Sequence, residues 1–484
     1  MNQSLIEKYI STTTQPLDEY HKRLLLNTLS DDNTPHTLKS KIVIFLREHR
    51  HQINPKDLAE ALGMDSQAAE ELLNNDIKEA FFPAVSPNNN DKQELIKLFV
   101  IELKNLTLSF KKGIENELKV VEKLTGKHFF VGFYGDFTGK SFLLALSSAL
   151  ICKNDEKLKD YAFTGDLNFE GKVIEVDFLK EKIKAAYPKK LIHPEIIKNL
   201  KELDILLNSD TINIPFSIAL KQSKKDTTPK QAALTNLYQI AQNTDFELAK
   251  RLYDLKDDDF TFYIDGKFLP NRDWEGILRT AYGKIVHLKE KLKDKTCILH
   301  LCLLGPATFA FGLGAMVGCK EPFVVYHYTS GEFKVVLDFS KRNLRLLKSP
   351  NKNPEHIECE KDTDTQETDI LAISIYAASH NPKGDIRKFL KNNFENYILA
   401  SCEAKDRGNL EESDWAIYVN EIYSHYNKLK EITTKKRLMF FACPVLLAFG
   451  LGVAVETFDD IEVYNFEPLE TSYFKVFNLA SLKV

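Results

Sequence analysis

Two stretches of the C-terminal half, "LLGPATFAFGLGAMVG" and "FACPVLLAFGLGVAVE", superpose at one constant offset of 138 residues. Pro306 meets Pro444, the pentapeptide from Ala310 to Gly314 meets Ala448 to Gly452, and Tyr326 meets Tyr464. A pentapeptide, a Pro and a Tyr shared in a single register mark an internal duplication. Each copy reads as strand, Gly/Ala/Cys-Pro loop, helix, strand, and "DILAISIYAASHN" and "ENYILASCEAKD" between them supply further strands. This is half of an open α/β sheet, present twice. Ligands of such sheets bind at the carboxyl ends of the strands, where loops meet helix N-termini that favour anions. Two similar halves side by side bring two such loops around a ligand with its own repeated anionic groups.

The same two segments, 298–318 and 438–455, are 21 and 18 residues long, which is bilayer-spanning length. Each has an internal Pro, and a β-rich first part followed by an Ala/Gly/Leu-rich second part. Strand, turn and buried helix explain both parts without a membrane. At 484 residues the chain has room for about three domains. With 43% hydrophobic and 28% charged residues it has the composition of a soluble globular protein, and a net charge of -4 gives no general attraction to duplex nucleic acid or anionic membrane. The seven cysteines (152, 297, 302, 319, 359, 402, 443) are scattered, with no CxxC pair. Without a signal-peptide pattern they read as reduced core thiols of a cytoplasmic protein, and no His, Cys and carboxylate cluster has metal-ligand spacing.

Further upstream, "GDFTGKS" (135–141) stands between the apolar run "HFFVGFY" and "FLLALSSALI" and reads as strand, tight loop, helix. It is not a Walker loop: the first glycine is one residue too close, and Tyr134 occupies the position that must be Gly. The same geometry suits an exposed nucleophilic Ser beside backbone donors that receive an oxyanion. A base for that Ser is legible downstream. At about 100° per residue, Phe178, Leu179, Ile183, Ala185 and Ala186 form one apolar arc, and Lys182 falls inside it. Dehydration there disfavours the ammonium and lowers the Lys pKa towards the range in which it accepts a proton.

The pair "HLCLLGPATFAFGLG" and "FFACPVLLAFGLG" resembles the SAVED domain, a fused pair of Rossmann-like halves that senses cyclic oligonucleotides in bacterial antiviral signalling. The resemblance implies a ligand site lined by Gly305, Pro306, Ala307 and Thr308 of one half, by Cys443 and Pro444 of the other, and by Ser379 and His380. Residues 161–194, with Thr164-Gly165-Asp166, Gly171-Lys172-Val173 and Leu179-Lys180-Glu181-Lys182, resemble the Lon protease domain. In that family the Lys of the Glu-Lys pair is the general base for a Ser about forty residues upstream, and Ser141 stands 41 residues before Lys182. The resemblance gives Thr164 the role of orienting the Lys. Two departures stand out. Phe137-Thr138-Gly139-Lys140-Ser141 replaces the family's Pro-Ser-Ala-Gly, which leaves Thr138 as an alternative nucleophile or the site as degenerate, and Asp177-Phe178 replaces a Gly-Gly pair.

The expected fold class is therefore multidomain α/β and α+β: a helical module (1–94), a Lon protease-like α+β domain (95–235) and a duplicated Rossmann-like sensor (236–484). That order resembles the Calp-type Lon-SAVED proteases of type III CRISPR systems. The resemblance implies activation by a cyclic oligoadenylate, with cyclic tetra-adenylate expected, self-association on ligand binding, and one specific protein substrate such as an anti-sigma-like regulator, with no metal or cofactor. Cleavage-incompetent ligand binding by a scaffold is the alternative.

Within the first module, "DLAEALGMDSQAAEELL" has helix-turn-helix spacing, yet its second helix carries Glu70 and Glu71 and no Lys or Arg, so it reads as a packing or docking element rather than a DNA reader. "VSPNNNDKQ" (85–93) reads as a linker and 348–369 as a polar surface loop, and His300, on an apolar strand, reads as a core histidine.

Overall fold

The computed structural model describes residues 3–13, 16–86, 89–220, 228–264, 273–405, 410, 414–468 and 470–483. It divides into two compact units, Met1–Ser209 and Asp210–Val484.

In the first unit, helices α1 (Gln3–Thr12), α2 (Glu19–Ser30), α3 (His36–Glu48), α4 (Pro55–Leu62) and α5 (Ser66–Asn74) precede strands β1 (Ile77–Ser86), β2 (Asn89–Leu103) and β3 (Leu108–Ser109). Then come α6 (Glu115–Thr125), β4 (His128–Phe133), α7 (Leu143–Ile151), β5 (Tyr161–Phe163), β6 (Asp166–Leu167), β7 (Val173–Ile174), α8 (Leu179–Ala186), β8 (Lys190–Ile192) and α9 (Leu200–Asn208). The helix-turn-helix spacing is realised: Gly63 ends α4 at φ 65, a left-handed cap that glycine adopts without strain. The main sheet runs β1-β2-β4-β3. Alternation along β2 divides its work. Phe99, Ile101 and Leu103 join the core of α1 to α5, while Phe82 on β1 packs on the rings of Phe137 and Phe142 at the entry to α7.

Residues 1–94 are accordingly not a free-standing helical module. The helices bury their apolar faces only by sharing a core with β2 and β4, and β1 lies wholly before residue 94. Nor is 85–93 a linker: Val85 pairs with Gln93 and Ser86 with Asn89 at the closed end of the β1–β2 hairpin, although Pro87 and Asn88 lie outside the described residues.

The second unit opens with β9 (Thr211–Ala219), α10 (Pro229–Ala241), α11 (Phe246–Tyr253), β10 (Thr261–Tyr263), α12 (Trp274–Lys291), β11 (Thr296–Leu304), α13 (Ala307–Val317), β12 (Phe323–Thr329) and β13 (Glu332–Asp338). It continues with β14 (Ile357–Lys361), β15 (Glu367–Tyr376), α14 (Lys383–Asn393), β16 (Tyr397–Ala404), α15 (Ala416–Leu429), β17 (Thr433–Ala442), α16 (Val445–Val455), β18 (Glu462–Glu467) and β19 (Ser472–Asn478). The boundary falls at Ser209/Asp210, not at 235/236, because β9 pairs in parallel with β11 along its whole length and belongs to that sheet.

Two sheets result, ordered β10-β9-β11-β12-β13 and β14-β16-β15-β17-β18-β19. Without β14 the orders are the same. Leu301 pairs with Val325 and Met439 with Val463, and a bulge follows Val325 in one sheet and Val463 in the other, each at the 138-residue offset. The two apolar stretches are strand plus helix, and among the described residues no helix is long and apolar enough to cross a membrane.

The shared pentapeptide lies where α13 meets α16. A Cβ on Gly314 would stand 2.1 Å from the Phe449 carbonyl oxygen, and one on Gly452 would stand 2.0 Å from that of Phe311. Each glycine admits the other helix's backbone, so the pair is symmetric about its own crossing. The polar segment 348–369 is not loop throughout. Ile357–Lys361 forms the antiparallel edge strand β14 against β16, and the buried carboxylate of Glu421 on α15 accepts the backbone N–H groups of Glu355, His356 and Ile357 at 2.8–3.0 Å.

Candidate functional site

In the second unit the strand order of each half reverses between its first and third strands, β9 and β11 or β15 and β17, which opens a crevice at their carboxyl ends. The two crevices are built alike. Leu220 N–H donates to Leu304 O at 2.8 Å in one, and Ala377 N–H to Ala442 O at 2.8 Å in the other. The next residues are Gly305-Pro306-Ala307-Thr308, leading into α13, and Cys443-Pro444, leading into α16. Gly305 has its own reason: a Cβ there would press on the Leu220 side chain at 3.0 Å. Thr308 is buried and donates from Oγ1 to Asn465 Oδ1 at 3.0 Å, tying the first half's helix to the second half's β18. The rings of Phe311 and Phe441, 4.9 Å apart, make a second cross-half contact beside it.

The structure thus brings Gly305, Pro306, Ala307, Thr308, Cys443 and Pro444 to the same end of the paired sheets, with Pro306, Ala307, Cys443 and Pro444 half-buried. Ser379 and His380 follow β15 in the loop beside Ala442 and are exposed, and His380 faces Asp385 at 3.4 Å. Asn465 was not legible as a site residue, since only the α13–β18 contact gives it a role. His300 is a core histidine: Nδ1 faces Tyr326 Oη at 2.8 Å and Nε2 faces Asn213 Oδ1 at 3.1 Å. Burial lowers its pKa, against the opposing pull of Asp338 and Asp245, so the ring is neutral, donating to Asn213 and accepting from Tyr326.

In the first unit the 135–141 loop is pinned from below and open above. Phe137 is buried among Phe82, Phe133 and Phe142, with the Lys111 ammonium 4.4 Å from its ring centroid. Lys111 also reaches Asp136 at 2.8 Å, which holds that carboxyl below its ordinary range. Thr138, Gly139 and Lys140 are exposed, Gly139 at φ 85. Lys140 is paired with Glu117 at 3.0 Å, which raises its pKa.

Ser141 is half-buried at the entry to α7, and its carbonyl accepts the Gly165 N–H at 3.0 Å while the Gly165 carbonyl accepts from Leu144 at 3.1 Å. The Thr164-Gly165 turn therefore sits against the first turn of the helix that Ser141 opens. A Cβ on Gly165 would meet Val173 Cγ1 at 2.8 Å, so the approach requires glycine. Thr164 is buried and its Oγ1 has no hydrogen-bond partner among the described residues.

Lys182 is 6% exposed, and with Ala186 it is one of the two buried residues of α8. Burial lowers its pKa, with Asp177 pulling the other way. The apolar arc differs from the sequence expectation: Phe178 and Ile183 are exposed, and Leu179 and Ala186 pack instead on Ala162 of β5 and on β1 and β2. Phe178 adopts φ 58, the conformation for which glycine is preferred, and it stands at the second position of the Gly-Gly pair in the Lon pattern. No hydrogen bond joins Ser141 Oγ to Lys182 Nζ. Among the described residues no group of His, Cys, Asp and Glu is placed to hold a metal ion.

No protein-family model matches the chain, and no curated protein matches it. Among solved structures it is similar to the Acinetobacter baumannii Cap4 SAVED/CARF-domain containing receptor with the cyclic trinucleotide 3'3'3'-cAAA, at 12% identity and a TM-score of 0.37, over 99% of this chain and 85% of that one. The same receptor with 2'3'3'-cAAA gives 12% and 0.36, over 99% and 84%. The Moraxella osloensis Cap4 SAVED/CARF-domain containing receptor gives 13% and 0.32, over 99% and 84%.

Proposed function

We propose that the chain is a ligand-gated serine endopeptidase. A cyclic oligoadenylate, with cyclic tetra-adenylate the first candidate, would bind at the carboxyl ends of the two sheets of the second unit, where two helix N-termini favour its phosphates. Binding would drive self-association and license the first unit to cut one specific protein, of the anti-sigma-like kind. Ser141 Oγ attacks the peptide carbonyl, Lys182 Nζ takes its proton and returns it to the leaving amine, and backbone N–H groups of the 135–141 loop receive the oxyanion. Thr164 Oγ1, buried and unpartnered among the described residues, is available to accept a hydrogen bond from the amine and orient it.

The observation that carries this reading is the desolvated Lys182, an amine kept out of water on a helix packed against β5, whose end bears Thr164. The alternative reading is that the first unit is catalytically silent and ligand-driven assembly is the output. One experiment separates them. Partner proteins encoded beside this chain are incubated with it, with and without cyclic tetra-adenylate, for the wild type, Ser141→Ala, Thr138→Val and Lys182→Ala. The peptidase reading expects ligand-dependent cleavage that falls at least about 10²-fold in Ser141→Ala and Lys182→Ala and persists in Thr138→Val. Ligand binding and assembly with no cleavage by any version would establish the scaffold.

A further inference from the structure

Seven cysteines are free, and one pair is opposed. Cys359 on edge strand β14 and Cys402 on β16 are direct partners in an antiparallel register, and their sulfurs are 3.1 Å apart. Directly opposed residues of antiparallel strands have Cα atoms about 4.5–5.5 Å apart, inside the span a disulfide bridges. Both side chains lie on the face turned to the main core, Cys402 buried and Cys359 half-buried. The strand is held in this register independently of the thiols, by Glu421 at its start and by Lys405 N–H donating to His356 O at 3.0 Å.

We propose that Cys359 and Cys402 form a reversible intramolecular disulfide on exposure to a peroxide, making the edge of the second half's sheet a redox-modification site that the first half does not have. The Cys359 thiolate attacks one oxygen of hydrogen peroxide. The S–O bond forms as the O–O bond breaks, and hydroxide leaves, giving a sulfenic acid. The Cys402 sulfur then attacks the Cys359 sulfur; the S–S bond forms, the S–O bond breaks, and the departing hydroxide combines with the Cys402 proton as water. Two thiols lose two electrons and one peroxide becomes two waters.

The selectivity follows from placement. The Cys402 thiol donates a hydrogen bond to Cys359, which holds the Cys359 thiol below its ordinary range, whereas burial pushes Cys152 and Cys319 up and brings Cys297 to about 11 and Cys302 to about 12. The bond would close a ring from 359 to 402 that holds β15, α14 and the Ser379–His380 loop, so oxidation would brace the crevice of one half alone. Reversible bonds of this kind are also the form that disulfides take in reducing compartments.

The test uses the full chain. Reduced protein is treated with a small excess of hydrogen peroxide, denatured and titrated for thiols, and its peptides are mapped by mass. The expected result is a fall from seven thiols to five, a single Cys359–Cys402 cross-linked peptide, recovery of all seven with dithiothreitol, and a raised denaturation midpoint for the oxidised form. Cys359→Ser and Cys359→Ala, altered at the less buried position, should keep six thiols under the same treatment. Seven surviving thiols, loss of thiols elsewhere, or sulfinic acid on Cys359 in place of the cross-link would overturn the proposal.

Discussion

The two halves of the second unit share a strand order, a bulge at an equivalent position and a glycine-to-carbonyl helix contact, and they differ in the loops that follow β11 and β17. The crossing of α13 and α16 tolerates no change because backbone meets backbone there, while the loops above it are Gly-Pro-Ala-Thr on one side and Cys-Pro-Val-Leu on the other. At the far ends of the helices the copies also part. Gly318 ends α13 at φ 60 and ψ -169, and Glu456 ends α16 at φ 58 and ψ -170, a conformation open to glycine and costly for other residues. Glu456 is held in it by an ion pair with Lys348 and by accepting the Cys319 N–H at 3.3 Å, so the second copy's strain is compensated by residues of the first. Duplicated chains keep what their mutual packing requires and diverge where contacts are to solvent, to ligand or to the partner copy.

The largest effect expected tests the symmetry itself. Gly314→Ala and Gly452→Ala should each cost about 3 kcal/mol or more, because the new methyl meets main chain that cannot swing aside. Urea unfolding of the second unit is the measurement, and a difference above about 1 kcal/mol between the two variants would show that the helices are not equivalent. A smaller effect probes the divergent caps. Glu456→Ala loses the Lys348 and Cys319 partners but keeps the strained backbone, whereas Glu456→Gly loses the same partners and relieves it. Glycine should therefore be the more stable of the two by about 1 kcal/mol.

A third effect, spread over the acid range, concerns a buried histidine. His300 stands where the second half has Leu438, is buried, and has a lowered pKa. A histidine less basic folded than unfolded lets the unfolded chain bind more protons, so its contribution to stability is present above about pH 6.5 and falls as pH drops below that value. His300→Leu, which writes the second half's residue into the first, should flatten the stability curve below pH 6.5 by up to about 1.4 kcal/mol per unit. An unchanged slope would mean that the imidazole binds its proton equally in both states. The slope carries the test, since the variant also leaves Asn213 and Tyr326 without their partner.

Much of this was legible in one dimension. The 138-residue offset exposed α13 and α16 because their contact keeps glycines in place, and Lys182 stood out because a cation among apolar helix positions has few reasons to be there. Other features carried no linear signal. Ser217 and Ser374 are equivalent positions of β9 and β15 at a different offset, since the connections between strands changed length, and so the correspondence between the two first strands carries no signal at the 138-residue offset. The exposed sides of Phe178 and Ile183 depend on where α8 rests on β1 and β2, which helical periodicity does not state.

Local chemistry in the sequence determined the strand-loop-helix units, the glycines that permit close approach, the acidic face that disfavours duplex DNA and the candidates Ser141 and Lys182. These follow from steric limits, charge and periodicity within some tens of residues. Tertiary structure alone decided that β9 joins β11, that the first helices share a core with β2 and β4, that Asn465 meets Thr308, and that Cys359 faces Cys402. Each of these is a pairing between segments distant in the chain, set by register and by the packing of whole elements, and no local pattern of residues encodes a register with a strand it has not yet met.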